Sequence, residues 1–209
     1  MKRKIIIVGA GSVGGHVASN PELYGLDDRI FGFVDDDLSK HGQLFCGYKV
    51  IDSVDWLLDQ QDFDVIIGIA FPKVKQALIK KLSGNSSISF PSITANNAWI
   101  SNDCSIGIGS IIYPGTSINY GSKIGDFVVI NMNCALGHHA IVGDYCSFAP
   151  GVLLGGHTTI GHATEMGIGS TTLQGIEIGK EVIVGGQSMV ISNIPDGVTV
   201  AGVPGRKIN

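Results

Sequence analysis

Residues 105–130 read SIGIGSIIYPGTSINYGSKIGDFVVI, and an isoleucine returns at every sixth position: Ile106, Ile112, Ile118, Ile124 and Ile130. Extending the spacing outward reaches Ile100 on one side and Leu136, Val142, Phe148, Leu154, Ile160, Met166, Thr172, Ile178, Val184 and Val190 on the other. Fifteen of these sixteen positions are apolar, and the register never slips. A period of six fits neither an amphipathic helix nor a simple alternating strand, and it is the signature of a parallel β-helix. One apolar side chain per hexad points inward, and three hexads close one triangular coil. Residues eighteen apart then stack at strand spacing, about 4.8 Å.

Two further positions of the hexad carry information. Glycine often follows the apolar residue, as at Gly107, Gly125, Gly137, Gly143, Gly155, Gly161, Gly167, Gly179 and Gly185, and is expected to permit the tight corner. The fourth residue after each apolar one is usually small or β-branched, as at Ser110, Thr116, Ser122, Val128, Thr158 and Ser170. Cys104, Cys134 and Cys146 fall on that inward position, where cysteine packs as a compact apolar residue rather than serving as a nucleophile.

Ahead of the repeat, residues 1–90 follow a different rule and are expected to form their own domain, with the β-helix over 91–209. The opening KIIIVGAGSVGGHVA is an apolar strand, a glycine turn and a helix start. Its spacing Gly9-x-Gly11-x-x-Gly14 suits a βαβ nucleotide-binding turn, in which glycines let the backbone approach a phosphate and the helix N-terminus offers amide donors. A second strand, RIFGFV, ends in Asp35-Asp36-Asp37, where an acid can meet a ribose hydroxyl. A third covers Asp64–Ala70, SVDWLLD is expected to be helical, and Pro72 opens a further helix. Only about three strands fit before the period changes. The expected fold is therefore an α/β half-Rossmann domain, suited to a mononucleotide, joined to a parallel β-helix.

The 209 residues carry a formal charge of −4 and 30 glycines. This balance gives no reason to expect nucleic acid or an anionic membrane surface as partner. No stretch approaches the roughly 18 apolar residues of a membrane helix, and the basic start lacks a cleavage pattern, so membrane insertion is not expected and a cytoplasmic location is. The four cysteines have no CxxC spacing.

The hexad LGHHAI sets His138 and His139 two and three places after the inward Leu136, at a corner. One coil further, His157 follows His139 and Gly156 follows His138. A zinc site of three histidines, as in γ-class carbonic anhydrases, is not expected. His157 and His162 have the five-residue spacing, but Gly121 stands two coils before His157, where a third ligand is required.

The glycine turn, the strand end FVDDD, the hexads and the closing VAGVPGRKI together resemble the nucleotide-sugar N-acetyltransferases of bacillosamine, perosamine and viosamine type, which have sialic acid O-acetyltransferase relatives. The resemblance runs along essentially the whole chain. It implies a left-handed coil, acetyl-CoA as co-substrate with no metal, and a homotrimer with sites between protomers. It also implies direct acetyl transfer to the 4-amino group of a nucleotide-linked amino sugar. In that family the corner reads His followed by Asp or Glu, so His138 matches the catalytic base and Gly156 matches the glycine whose N–H faces the oxyanion. His139 stands where the family has its carboxylate, and Asp144 is a possible replacement for that charge. Acetyl-CoA contacts carry over to Ser147, Gly156, Ile168 and Gly186, and nucleotide-sugar contacts to Gly11, Ser12, Val13, Asp35, Asp36 and Ala70. The family often has Gly-His at the positions of Ser12 and Val13. Phe71 is expected to pack against the domain. The remaining readings are O-acetylation of a sugar hydroxyl, a zinc hydratase or binding scaffold, and, least supported, a nicotinamide oxidoreductase, for which no catalytic domain follows.

Overall fold

The computed structural model describes residues 2–208, which divide into two compact units at Ser92/Ile93. In the first unit, β1 (Lys4–Val8), α1 (Ser12–Ser19), β2 (Ile30–Val34), β3 (Leu44–Phe45), β4 (Tyr48–Asp52), β5 (Phe63–Ile67) and α2 (Pro72–Leu82) follow in that order. The sheet runs β3-β4-β2-β1-β5, parallel throughout except for the β3–β4 hairpin. Five strands are thus present rather than three. The hairpin turns at Cys46-Gly47, both with positive φ (48° and 83°), a geometry that the sequence Cys-Gly does not announce as Asn-Gly would. The expected helix at SVDWLLD is instead a 3₁₀ turn, Val54–Asp59. Pro72 does begin α2.

The three glycines of the opening turn have separate reasons. Gly9 has φ +97°, open to glycine and rarely to other residues. A Cβ on Gly14 would sit 2.2 Å from the Gly9 carbonyl, and one on Gly68 would sit 2.7 Å from Gly14 Cα. Close packing of α1 on the sheet therefore needs glycine at both positions. A Cβ on Gly11 would meet nothing within 4 Å, which leaves that face of the turn open.

The second unit is a stack of two-residue strands, one every six residues, from β6 (Ile93–Thr94) to β22 (Met189–Val190). They form three faces of six, five and six strands, the last extended to eight by two strands nearer the C-terminus, and every partner along a face from β6 to β22 is eighteen residues away. This is the expected parallel β-helix. The second residue of each strand is the inward one. Ile112, Ile118, Ile130, Leu136, Phe148, Ile160, Met166 and Val184 join one buried cluster. Thr172, the polar exception, is accommodated by partners. Its hydroxyl lies 3.0 Å from that of Thr158 and accepts from the Gly155 amide at 3.1 Å. Cys134 and Cys146 are buried as expected, and burial pushes the Cys134 thiol up to about 11.

The corners work differently from the sequence expectation. The left-handed residue is the third after the inward one, including Gly109, Gly115, Gly121, Phe127, Asn133, His139, Tyr145 and His157. The glycines that directly follow the inward residue serve close approach instead. A Cβ on Gly137 would lie 2.5 Å from the Gly156 nitrogen in the coil above.

The last turn is shorter. Ile178 pairs with Ile194 and Val184 with Val200, sixteen residues on, after which β23 (Thr199–Ala201) receives the antiparallel β24 (Arg206–Lys207). Among the described residues no helix is long and apolar enough to cross a membrane.

Candidate functional site

The histidine corner follows β13 (Ala135–Leu136) on the six-stranded face. Two backbone bonds fix it to its neighbours: the His139 amide donates to the Tyr120 carbonyl, and the His157 amide to the His138 carbonyl, both at 2.8 Å. His139 and His157 each have φ +57°. Histidine, like asparagine and aspartate, tolerates that region better than bulkier residues do.

His138 is half-buried between the coil before it and the coil after it. The Tyr120 ring stacks on its imidazole, 5.4 Å between centroids and 13° between planes. On the side of the coil above, a Cβ built on Gly156 would come within 2.7 Å of His138 Nε2, so only glycine leaves the imidazole its place. His138 Nδ1 lies 3.2 Å from His139 Nδ1. His139 in turn stacks on His157, with centroids 4.9 Å apart and planes 9° apart.

The Nδ1–Nδ1 contact needs one proton between two lone pairs. If His138 supplies it, His138 Nε2 is left as an unprotonated acceptor. That tautomer is the one a base requires.

Asp144 does not substitute for the missing carboxylate. It lies at a different corner, after β14 (Ile141–Val142), and its Oδ1 accepts from the Asp126 amide at 2.9 Å. The negative charge on the His139 column is Asp103, which accepts from the Gly121 amide at 2.9 Å. Its carboxyl is held below the usual range, first by the hydrogen bond from Ser101 and then, against desolvation, by the Gly121 amide and the His139 charge. Sequence reasoning did not assign Tyr120 a part, although adding eighteen to its number gives His138.

Gly156 thus joins His138 and His139. The Gly156 N–H donates to no group among the described residues, whereas the corresponding amides of Ile108, Asp126 and Lys180 are capped by aspartates. The remaining acetyl-CoA candidates lie elsewhere on the coil. Ser147 is a buried strand residue of the eight-stranded face, and Ile168 and Gly186 stack at the corner that leaves that face. Within one chain these three are not neighbours of the histidines.

The nucleotide-sugar candidates do converge. Gly11, Ser12, Val13, Asp35 and Ala70 line one cleft of about 340 Å³ together with Gly9, Gly68, Ile69, Phe71 and Val74. Asp36 lines a smaller adjoining one with Asp35. Phe71 is 67% exposed. It therefore does not pack against the domain as expected, because it caps α2 at the cleft rim instead.

Asp35 has little left to offer a ligand. Oδ2 accepts from the Ala10 amide at 2.8 Å and Lys40 Nζ at 2.9 Å, and Oδ1 from the Asp37 amide at 2.9 Å. Burial pushes its carboxyl up, but these hydrogen bonds, that of Lys40 foremost, outweigh it and hold it below the usual range. Its evident work is to pin the glycine turn to the end of β2. Asp36 is exposed, and one oxygen accepts from the Val54 amide.

Replacing Gly156 with alanine is expected to displace the His138 ring, because Cβ would sit 2.7 Å from Nε2. On the assignment of His138 as base proposed below, activity should fall at least tenfold with little change in thermal stability. Initial rates and a melting curve on the same preparation check this.

Known proteins match both units. The family model of the PglD N-terminal domain matches residues 4–82, and that of the bacterial transferase hexapeptide (six repeats) matches residues 121–156. The acetyltransferase domain of PglB from Neisseria gonorrhoeae FA1090, solved with acetyl coenzyme A, is 25% identical over 100% of each chain, with a TM-score of 0.88. PerB from Caulobacter crescentus, solved with CoA and GDP-perosamine, is 26% identical over 99% of this chain and 97% of its own, with a TM-score of 0.88. WeeI from Acinetobacter baumannii AYE is 30% identical over 98% of this chain and 99% of its own, with a TM-score of 0.85. Comparison with the curated proteins gives no significant match. With the glycine-turn domain, the hexapeptide coil and full-length likeness in agreement, the chain is an acetyltransferase and belongs to the sugar acetyltransferases of the left-handed β-helix superfamily.

Proposed function

We propose that the protein transfers an acetyl group from acetyl-CoA to the 4-amino group of a nucleotide-linked amino-deoxy sugar, with His138 as general base. The observation that carries the base assignment is the 3.2 Å contact between His138 Nδ1 and His139 Nδ1. With the shared proton on His138, its Nε2 lone pair faces the acceptor. The amine attacks the thioester carbonyl, the C–N bond forms, and Nε2 takes the amine proton as the tetrahedral oxyanion develops. The Gly156 N–H, free of other partners, is the donor assigned to that oxyanion. On collapse the C–S bond breaks and the leaving thiolate takes the proton back from His138. No acyl-enzyme forms.

The cleft of Gly11, Ser12, Val13, Asp35 and Ala70 is assigned to the nucleotide. Open backbone at Gly11 and amides at the start of α1 suit a phosphate. Phe71, exposed at its rim, is placed to stack on a base. Acetyl-CoA is assigned to Ser147, Ile168 and Gly186 together with Gly156, and because the first three lie apart from the histidines within one chain, a second copy is required to complete the site. A homotrimer satisfies this. The exposed Ile141, Leu153 and Ile183 on its faces are the kind of surface such an assembly covers. Reliance on acetyl-CoA and a nucleotide sugar supports a cytoplasmic location.

The decisive experiment measures thiol release from acetyl-CoA with UDP-, dTDP- and GDP-linked 4-amino sugars and, in parallel, with free sialic acid. Release with one nucleotide sugar is expected. Activity confined to hydroxyl acceptors would replace N-acetylation with O-acetylation, and would make His139, in place of a carboxylate, the mark of that change.

A further inference from the structure

The coil brings together three imidazoles that the sequence spacing does not present as a ligand set. Nitrogens of His138, His139 and His157 all lie within 4.8 Å of one another, at a solvent-facing corner. We propose that these three histidines form a binding site for a divalent zinc-class ion. The consequence drawn for catalysis rests on the assignment of His138 as base: the occupied site withdraws it, so the ion acts as an inhibitor and not as a cofactor.

The geometry favours an ion over an accidental cluster. Two nitrogens on one four-coordinate zinc with bonds near 2.05 Å stand about 3.3 Å apart. His138 and His139 already hold their Nδ1 atoms at 3.2 Å, with rings at 90°. Both atoms can therefore bind one ion with little movement once the shared proton leaves. His157 is the third ligand. It lies at 90° to His138, centroids 4.8 Å apart, but is stacked parallel to His139. Two parallel rings cannot both hold one ion in their planes, so His157 has to turn about its side-chain bonds and leave the stack. It is exposed within its own chain, so no group of that chain blocks the rotation. Backbone placement supports the set: the His157 amide is bonded to the His138 carbonyl, so the two residues are held in adjacent coils at fixed separation. Asp103 at the foot of the His139 column adds negative charge on the same side. A ligand set of imidazoles alone selects zinc, copper, nickel or cobalt over magnesium and calcium.

The test uses tag-free full-length protein, stripped with EDTA. Zinc chloride is titrated calorimetrically, and cobalt chloride is followed by its visible absorption. One ion per chain is expected, with the intense cobalt bands of a four-coordinate site. His139→Gln and His157→Gln are each expected to weaken zinc binding by about 100-fold or more, beyond what loss of an outer-shell partner costs. His162→Gln, outside the set, should bind as the wild type does. The cobalt spectrum needs no substitution, so a misfolded variant does not rescue the proposal. Only weak six-coordinate bands, or zinc binding indifferent to both substitutions, would overturn it. Acetyl transfer is then assayed against zinc occupancy and after added chelator. Zinc bound at the expected histidines with turnover undiminished would leave the site standing and remove His138 as the base.

Discussion

Alanine in place of His138 is expected to lower kcat for acetyl transfer by about 10²–10⁴-fold, the range for loss of a general base. The KM for acetyl-CoA should move little, because the substitution removes a proton acceptor and not a cofactor contact. The ring is half-buried at a corner and outside the apolar cluster of the coil, so the melting temperature should stay within a few degrees of the wild type. A matched loss of activity and stability would mean that His138 serves the fold instead. His139→Ala should fall between wild type and His138→Ala, because it removes only the partner of Nδ1. His139→Asn separates positioning from packing. Its carbonyl accepts the same hydrogen bond, and asparagine tolerates the left-handed backbone at φ +57°, so it should recover most of the activity that His139→Ala loses. Steady-state rates with one acceptor, fitted for kcat and KM separately, decide among these.

For stability the largest effect is expected from Phe148→Ala. Phe148 is 2% exposed and is the one aromatic residue in the buried cluster of the coil. It stacks on Ile130 below and Met166 above through paired strands. The loss combines transfer of the ring to water with the cavity left between rigid rungs, about 3–5 kcal/mol. Backbone spacing set by the strand ladder prevents neighbouring coils from collapsing into that space, which argues for the upper part of the range. A chain of this size should then melt roughly 10 °C lower. Circular dichroism at a β-sheet wavelength measures it, and a shift under 3 °C would mean that the coil relaxes more freely than its ladder suggests.

What the sequence made legible depended on which positions carry a physical constraint on residue type. The inward position must be apolar, so Ile106 through Val190 announced the coil directly. The corner residue three places on needs a backbone shape rather than a chemistry. Phe127, Tyr145, Ala163, Glu181 and Gln187 all adopt positive φ there, and none of those residue types signals it. The glycines after the inward residue were visible, but their cause, contact with the next coil, becomes apparent only in three dimensions. The β3–β4 hairpin was missed for the same reason as the corners, since Cys46-Gly47 is not a recognised turn pair. Phe71 was misjudged because an aromatic residue next to a helix start usually packs inward. The corner was half legible. The stack of His157 on His139 follows from adding eighteen, as does that of His138 on Tyr120, but ring orientation and the Nδ1–Nδ1 contact depend on side-chain torsions that no spacing encodes.

Three hydroxyls on the fourth position belong to two coils at once. Ser110 donates to the Gly125 carbonyl and accepts from the Val128 amide, Ser122 does the same with Gly137 and Ala140, and Thr164 with Gly179 and Val182. Between Ser122 and Thr164 that position holds Val128, Cys134, Ala140, Cys146, Val152 and Thr158, of which Cys134, Cys146 and Thr158 donate to the carbonyls of Ala149, Gly161 and Leu173. A stack held only by nearest-neighbour packing frays from its ends, where each rung has one neighbour missing. Here side-chain ties to the next coil recur along the stack, and they are doubled at Ser110, Ser122 and Thr164, where one hydroxyl both donates and accepts. Opening one of these tied rungs must therefore break polar bonds to the next. A coil bound in this way resists loss of a single rung, because each tied rung takes its neighbour's hydrogen bonds with it.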